Sequence, residues 1–513
     1  MSLALPAVIL ILVAYATYRW CLQQSTIPNA HFSSSFTSLW ILYERWREHE
    51  NRSVYAAHGR LGPVIRLAAN EVSVNSPEGL EAIYTGNFDK HDFYSGMENF
   101  DQTNMFSELK KKPHLEKRKV LNTVYSKSYV MASPELRAIL HQVIYKTTID
   151  KLRQHAQAEK PVEIWSFASS LAMDMISRYI FGLDAGTDFL NDETTRAEWQ
   201  GVTQQLTPYL FLWLELRRPI LFLEKFGLAT LPQWMLDEAD KQPAMTFALC
   251  QRCASRPSPS SHATVYTKLA TQLTPSPSTL SFASATALPR PSTLLASEVH
   301  DHLLAGSDTT ATTLTYILYE LALRPALQSL LRTHLATLPP AISPEVPEEV
   351  SQPYLAALDR LPLLNAIITE TLRLYPAVPG CQARVVPAQG TTIHGHFIPA
   401  GTRISCSAYS LHRNEKAFSE PGEWRYERWL EANEAQRREM ERWFWGWGSG
   451  VRMCIGKPFA TVEMKVLVAE VVRGFELRVV DEEGVVMGDG YFAGPRGRVV
   501  LGFEEVGVEE QGG

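Results

Sequence analysis

Cysteine is scarce, with six in 513 residues at irregular spacings. That excludes a disulfide scaffold and points to a reducing compartment. Neither sign of charge dominates. The 49 basic and 55 acidic side chains leave a net charge of −6, which argues against a strongly basic nucleic-acid binder. There is no internal repeat, no G-x-G-x-x-G or G-K-[ST] phosphate loop, and no nicotinamide or flavin fingerprint. Cys250-Gln251-Arg252-Cys253 is a C-x-x-C, but no second pair or histidine follows at zinc spacing and no thioredoxin-like βαβ pattern surrounds it. What remains is the composition of an ordinary globular chain, long enough to bury a sizeable core.

One stretch lacks charge altogether. Leu3 to Tyr18 (LALPAVILILVAYATY) is apolar and is followed at once by Arg19 and Trp20. As a helix it spans about 24 Å, a little short of the hydrocarbon core of about 30 Å. Snorkelling Arg19 and the Tyr15, Tyr18 and Trp20 rings make up the difference. Ala14-Tyr15-Ala16 resembles a signal-peptide cleavage site. However, no Lys or Arg precedes the run and the first one follows it, the order of a retained anchor with the amino terminus outside and the body in the cytosol. Residues 1–20 are expected to be that transmembrane anchor and 21–60 a connector with one amphipathic stretch, Ser38 to Glu50.

Gly62 to Ser76 alternates apolar and polar residues about Ala69-Asn70, which predicts a β-hairpin. From there to about residue 250 the pattern is helical, with Ser166 to Phe181 a buried example. Ser255 to Ser292 is rich in Ser, Pro and Thr, cannot hold a long helix and is expected to be an exposed loop insertion. Long helices resume up to Tyr375, and short strands and turns follow. The order predicts a mainly α fold with small β-sheets in a single large domain, 61–505, with a flexible tail at 506–513.

Chemistry concentrates in the last third. Trp443 to Gly456 reads WFWGWGSGVRMCIG, with glycines at 446, 448 and 450 ahead of Arg452, Cys454 and Gly456, and an apolar helix pattern directly after. Aromatics crowd the positions a phosphate would need. A loop that brings backbone close to a large flat ligand and points one sulfur at it fits instead. Gly450 and Gly456 omit side chains, Arg452 can pair with an anionic edge, and a helix amino terminus favours the Cys454 thiolate. Upstream, Ala305-Gly306-Ser307-Asp308-Thr309-Thr310 sits inside the long helix pattern Ser297 to Leu323. Gly306 costs about 1 kcal/mol there relative to Ala, so a compensating reason is expected. Glu370 and Arg373 share one face of the helix Leu363 to Tyr375. Alone they read as a solvated pair worth roughly a few tenths of a kcal/mol.

Together and in order, these stretches resemble the cytochrome P450 family of haem-thiolate monooxygenases, over roughly residues 60 to 505. The family signature Phe-x-x-Gly-x-Arg-x-Cys-x-Gly matches Trp447 to Gly456 at five of six fixed positions, with Trp447 replacing Phe. The resemblance implies haem b with Cys454 as its axial ligand, near Gly450 and Gly456. It assigns the haem propionates to Arg384 and to His114 with Arg118. By the same resemblance Asp308 feeds protons to bound dioxygen and Thr309 hydrogen-bonds it. Glu370 and Arg373 form a structural triad with Arg428, in a stretch where Tyr426 stands in place of the family's usual Pro.

Ala305, Val378, Pro379, Gly380, Tyr491, Phe492 and Ala493 are expected to line the substrate pocket, with Tyr94 to Glu108 as a mobile lid. The basic run Lys110, Lys111, Lys112, Lys117, Arg118 and Lys119 is either a solvated face or a surface steering an acidic electron donor. The implied reaction inserts one oxygen atom from O2 into an apolar small molecule by hydroxylation or epoxidation. Electrons then come from an NADPH-cytochrome P450 reductase on the same membrane, the endoplasmic reticulum, with the catalytic domain cytosolic and no nucleic acid involved. GPVIRLAANEVSVNSPEGL looks like membrane members of filamentous fungi that tailor secondary metabolites. Two other readings stay open: a haem-thiolate isomerase or dehydratase needing no reductase, against which Asp308 and Thr309 weigh, and a non-catalytic haem sensor.

Overall fold

A computed structural model describes residues 4–22, 26–228, 231–255, 264–273, 292–343, 346–483 and 485–507; within the first helix the side chains described are those of 8–17. That helix, α1 (Ala4–Leu22), exposes Val8, Ile9, Leu10, Ile11, Leu12, Val13 and Tyr15. Among the described residues no helix is long and apolar enough to cross a membrane; the anchor expected over 1–20 extends beyond the described side chains. Next come α2 (Leu39–Trp46) and α3 (Glu50–Leu61). Ile41, Val54 and Ala57 are buried with Ile65 and Leu67, so much of the expected connector is folded onto the body.

The helices that frame the interior are α4 (Lys111–Leu121), α5 (Ile164–Phe181), α6 (Leu210–Glu215), α7 (Arg217–Glu224), α8 (Thr264–Leu273), α9 (Thr293–Ala322), α10 (Pro362–Leu374) and α11 (Lys457–Gly474). α5 is apolar nearly all round and therefore buried. The Glu163 carboxylate caps it, accepting from the Trp165 and Ser166 amides at 3.1 and 2.8 Å. α9 starts at Ser292, whose hydroxyl accepts from the Leu295 amide at 3.1 Å. These two helices pack so closely that a Cβ on Gly306 would stand 2.5 Å from Ile176 Cγ1. That close approach is the compensating reason for a glycine inside α9.

The Ser/Pro/Thr-rich segment differs from its expected form. It contains α8, with Val265, Tyr266, Leu269 and Ala270 buried in the main core. Two adjacent apolar pairs four residues apart make one helical face, enough for a short helix between the prolines. The rest of that segment, 256–263 and 274–291, and the tail from 508 lie outside the described residues.

The sheets are small. β1 (Val64–Ala68) and β2 (Glu71–Val74) form the expected antiparallel hairpin, with Val64 opposite Val74. After β3 (Val162–Glu163), β4 (Arg384–Val385) and β5 (Arg403–Ser405) complete a first sheet in the order β1-β2-β5-β4. β6 (Phe475–Asp481) and β7 (Val500–Glu505) pair antiparallel, with β3 on the far side of β7. The main core is built from α5, α9, α10 and α11 and a second apolar cluster lies on the first sheet. The architecture is mainly α with small sheets, as the sequence predicts.

Candidate active site

The cysteine loop has no strand ladder to hold it. Its turns are closed by Gly448 N donating to Trp445 O at 3.2 Å, Met453 N to Gly450 O at 3.2 Å and Cys454 N to Trp447 O at 2.9 Å. Gly448 and Gly450 have φ of +68° and +66°, a region glycine enters freely. Gly450 does not make room for a ligand, as the sequence reading expected: a Cβ there would meet the Tyr84 carbonyl. Gly456 does leave space, since its Cβ would find only Cys454 Sγ, 3.9 Å away.

Among the described residues the free thiols are Cys250, Cys253, Cys381, Cys406 and Cys454, and only Cys454 is exposed. Burial nonetheless raises its thiol pKa, against the pull of the Gly456 amide, Arg118 and the Lys457 amide. The sulfur is thus accessible in surroundings that disfavour its charged form. The direction corrects the expectation of a helix terminus that by itself secures the thiolate: burial outweighs the amides. Cys250 and Cys253 are buried in a helix, and among the described residues no three His, Cys, Asp or Glu side chains gather as a protein-only metal centre.

Beside the loop the structure brings together the four basic residues expected there. Arg452 donates to the carbonyls of Glu108 and Leu109 at 2.7 and 2.9 Å, and Arg118 to the Met453 carbonyl at 2.7 Å. Arg384, on β4, donates to Tyr94 Oη at 3.3 Å and to its neighbour's carbonyl, Ala383 O, at 2.9 Å. His114 is buried with Nδ1 unpartnered. Burial, then the charges of Arg452, Lys90, Arg118 and Arg384, push its pKa down to about 3. Burial and then Arg384 push Arg452 down to about 10.

Lys90, which the sequence reading passed over, belongs to the same cluster. Its ammonium donates to Phe106 O and lies 3.9 Å from the centroids of both the Tyr94 and Phe106 rings. Burial, then Arg384 and Arg452, depress it well below the usual lysine range, with Asp301 opposing. Among the described residues neither the buried Lys90 and Arg384 nor the half-buried Arg118 and Arg452 have a carboxylate at ion-pair distance. Uncompensated buried charge is expensive, so the cluster calls for an anionic ligand from outside the chain. An accessible sulfur, an open Gly456 and a set of cations fit a haem, whose propionates are such an anion.

The α9 side is also open. Ala305 is exposed within a helix whose flanks are buried, and Asp308 and Thr309 share its face. Burial alone raises the Asp308 carboxyl to about 6. Thr309 Oγ1 donates to Ala305 O at 2.7 Å, which commits its proton to the helix and leaves its oxygen free to accept. Asp301, one turn before Ala305, is raised to about 7, by burial and then Glu298.

The Glu370–Arg373 pair is not a surface feature: both side chains are 0% exposed, at 2.8 Å. Arg428 Nε donates to the same carboxylate at 3.0 Å, as do Trp429 Nε1 at 2.9 Å and the Arg425 amide at 2.8 Å. Burial pushes Glu370 up, but the hydrogen bond and charge of Arg373 and then Arg428 hold it below the ordinary carboxylate range. Arg373 also donates to the carbonyls of His412, Pro421 and Glu423. The triad thus fastens α10 to the segment carrying Tyr426 and Arg428.

The expected pocket residues do not form one wall. Pro379 and Gly380 are buried, and Gly380 presses on Tyr491, whose Cα would lie 2.9 Å from an added Cβ. Tyr491 joins Phe93 and Tyr94 in an aromatic cluster, donating to Tyr94 Oη at 3.1 Å. Ala493 instead is buried against Tyr316 and Met487, and Phe492 is exposed, while Val378 is half-buried.

The expected lid is anchored. Met105 N donates to Glu298 at 3.0 Å, and Lys117 pairs with Glu298 and Thr103 O. Lys117 is therefore not part of a free basic surface, and Lys110 pairs with Asp89 at 2.9 Å; Lys111, Lys112 and Lys119 remain exposed. A cleft of about 150 Å³ lies apart from the sulfur, between the Asp92–Met97 turn and α6–α7. It is latched by Arg218–Asp92 at 2.5 Å and by Glu215, which pairs with Arg403 at 2.8 Å and Arg45 at 3.3 Å.

The family model described as Cytochrome P450 matches residues 278–493. A cytochrome P450 monooxygenase of Aspergillus flavus is 38% identical over 187 residues, 36% of this chain and 35% of that protein. Other relatives match nearly end to end. Cytochrome P450 monooxygenase stcB of Emericella nidulans is 27% identical over 92% of this chain and 87% of its own length. Cytochrome P450 monooxygenase tazI of Aspergillus terreus is 26% identical over 95% and 94%.

Proposed function

Since the chain belongs to the cytochrome P450 family and is an enzyme of that monooxygenase class, we propose that Cys454 holds the iron of a haem b and that the enzyme oxygenates an apolar small molecule. The insertion of one oxygen atom, as hydroxylation or epoxidation, is the reading that Asp308 and Thr309 support best. The observation that carries the reading is the set of buried Lys90 and Arg384 and half-buried Arg118 and Arg452, without a carboxylate at ion-pair distance and beside an accessible thiol. When bound, a thiolate-ligated haem supplies dioxygen activation and O–O cleavage.

The chain's own part is binding, shielding and proton control. Arg384, Arg452 and Arg118, with neutral His114, hold the carboxylate edge of the ligand, and Gly456 leaves room at the sulfur. Ala305 leaves the α9 side open. Asp308, with a carboxyl near 6, takes up and gives a proton at neutral pH. Thr309 Oγ1, its own proton donated to Ala305 O, accepts a hydrogen bond and so orients a donor beside that carboxyl. The rings of Phe93, Tyr94, Phe106 and Tyr491 exclude water and present an apolar surface to the substrate.

By the same reading two electrons come from an NADPH-cytochrome P450 reductase, for which Lys111, Lys112 and Lys119 offer a positive face. The membrane anchor of this reading is the apolar run expected over residues 1–20, with the endoplasmic reticulum as its membrane and the body cytosolic. The chain's likeness to proteins of Aspergillus and Emericella supports a step in fungal secondary-metabolite biosynthesis.

The test is optical and enzymatic. The purified protein should show the thiolate-type absorption shift of its reduced carbon monoxide complex, and Cys454→Ala should lose it. NADPH oxidation should require the reductase and O2. Turnover of a substrate without either would instead establish the isomerase or dehydratase reading.

A further inference from the structure

We propose that His412 is a positioning residue for the Cys454 sulfur, coupling the buried Glu370–Arg373 pair to the loop that carries the thiol. The inference rests on Cys454 being the haem ligand.

His412 is fully buried, and its ring stacks on Phe444 with centroids 5.2 Å apart and planes 6° from parallel. Nδ1 lies 2.9 Å from the Arg373 carbonyl oxygen, which can only accept, so Nδ1 bears the proton. Nε2 lies 2.7 Å from the Trp445 amide, which can only donate, so Nε2 presents its lone pair. Both nitrogens are used and the tautomer is fixed by its partners. Burial holds the ring neutral, with a pKa of about 3. A second tie runs the other way, from Arg373 Nη1 to His412 O at 2.9 Å.

Trp445 is where the cysteine loop begins. Its carbonyl accepts from Gly448, its indole donates to Ser449 Oγ at 2.9 Å, and two residues on Trp447 O accepts from Cys454 N. Hydrogen bonds therefore run from Glu370 through Arg373 and His412 to Trp445, and the short turn passes the position on to Cys454. A loop with two left-handed glycines has many conformations to lose, and the His412 acceptor fixes its first amide. Lone packing would need only the ring on Phe444. The two opposed hydrogen bonds need an imidazole.

Three variants separate those roles, each read by the reduced carbon monoxide spectrum, the haem reduction potential and haem affinity. His412→Phe keeps the ring stack and loses both hydrogen bonds. His412→Asn keeps a donor for Arg373 O but does not reach Trp445, and His412→Gln places an amide oxygen at the Trp445 N–H. Phe and Asn should shift the spectrum toward the neutral-thiol form, move the potential and weaken haem binding about 10-fold or more, and Gln should restore the wild-type spectrum.

A Phe variant with wild-type spectrum and potential overturns the proposal, as does a Gln variant no better than Asn. If no variant yields a folded apoprotein, His412 serves the fold at large and the proposal also falls. A wild-type protein without the thiolate signature would instead remove the ligation reading itself, a failure visible before any variant is made.

Discussion

Gly450 lies beneath Tyr84 so closely that a Cβ would stand 2.2 Å from the Tyr84 carbonyl oxygen. Left-handed backbone at a non-glycine residue costs about 1–2 kcal/mol, and here a backbone oxygen would also have to move. Gly450→Ala is expected to lower the thermal midpoint and the haem content together. Gly456→Ala, at φ −76°, should leave the apoprotein's midpoint unchanged and lower haem content alone. A wild-type melt for Gly450→Ala would show that the loop does not lean on Tyr84.

Glu370 neutralises two arginines in the buried interior. Breaking such a buried pair from one side costs about 3–5 kcal/mol. Glu370→Gln is therefore expected to reduce the denaturant midpoint sharply, with a loss of folded, coloured protein. Arg428→Lys should cost less, because the Arg373 pair remains. Equal midpoints for wild type and Glu370→Gln would contradict the assignment.

Asp308 gives a pH-dependent expectation whose sign follows from its raised carboxyl. Unfolded, it titrates near 3.8, and folded, near 6, so between those values the folded state binds the extra proton. Its stability contribution is present at low pH and is lost as pH rises through that window. Asp308→Asn should accordingly melt higher than wild type at pH 7.5, with the gain disappearing below about pH 4, while turnover falls. A gain that grows on acidification would reverse the sign and sink the assignment.

Lys90 should have opposite effects on the two forms of the protein. Lys90→Met removes a buried ammonium without a carboxylate partner and keeps most of the volume. The apoprotein should become more stable in denaturant, and haem should dissociate faster into an acceptor protein. Slower haem loss would show that Lys90 repels the ligand instead of holding it.

Glu215 closes the latch between α6 and the first sheet. Glu215→Gln leaves Arg45 and Arg403 to share Glu50 and Glu71, and α6–α7 should loosen. Limited proteolysis within 210–224 should accelerate while the thermal midpoint of the core moves little.

The sequence carried the chemistry better than the mechanics. Cys454, Arg452, Asp308 and the Glu370–Arg373 spacing were legible because each lies in a short motif with fixed offsets. The β1–β2 hairpin and the buried α5 were legible from period. Lys90 was not, since nothing in Asp89-Lys90-His91 distinguishes a buried ammonium from a solvated one. His412 follows an ordinary Ser-Leu, and its partners are 33 and 39 residues away. The reason for Gly450 was misassigned because Tyr84 lies hundreds of residues upstream, and proximity across the fold leaves no local mark. The apolar residues of α8 were in plain view, but the flanking prolines outweighed them.

The cluster of Arg118, Arg384, Arg452 and Lys90 has a consequence for manufacture. Like charges repel strongly in a low-dielectric interior, and any dianion that joins them draws chains toward the native state by mass action. Output in a host should then track its porphyrin supply, with surplus polypeptide the first to be degraded.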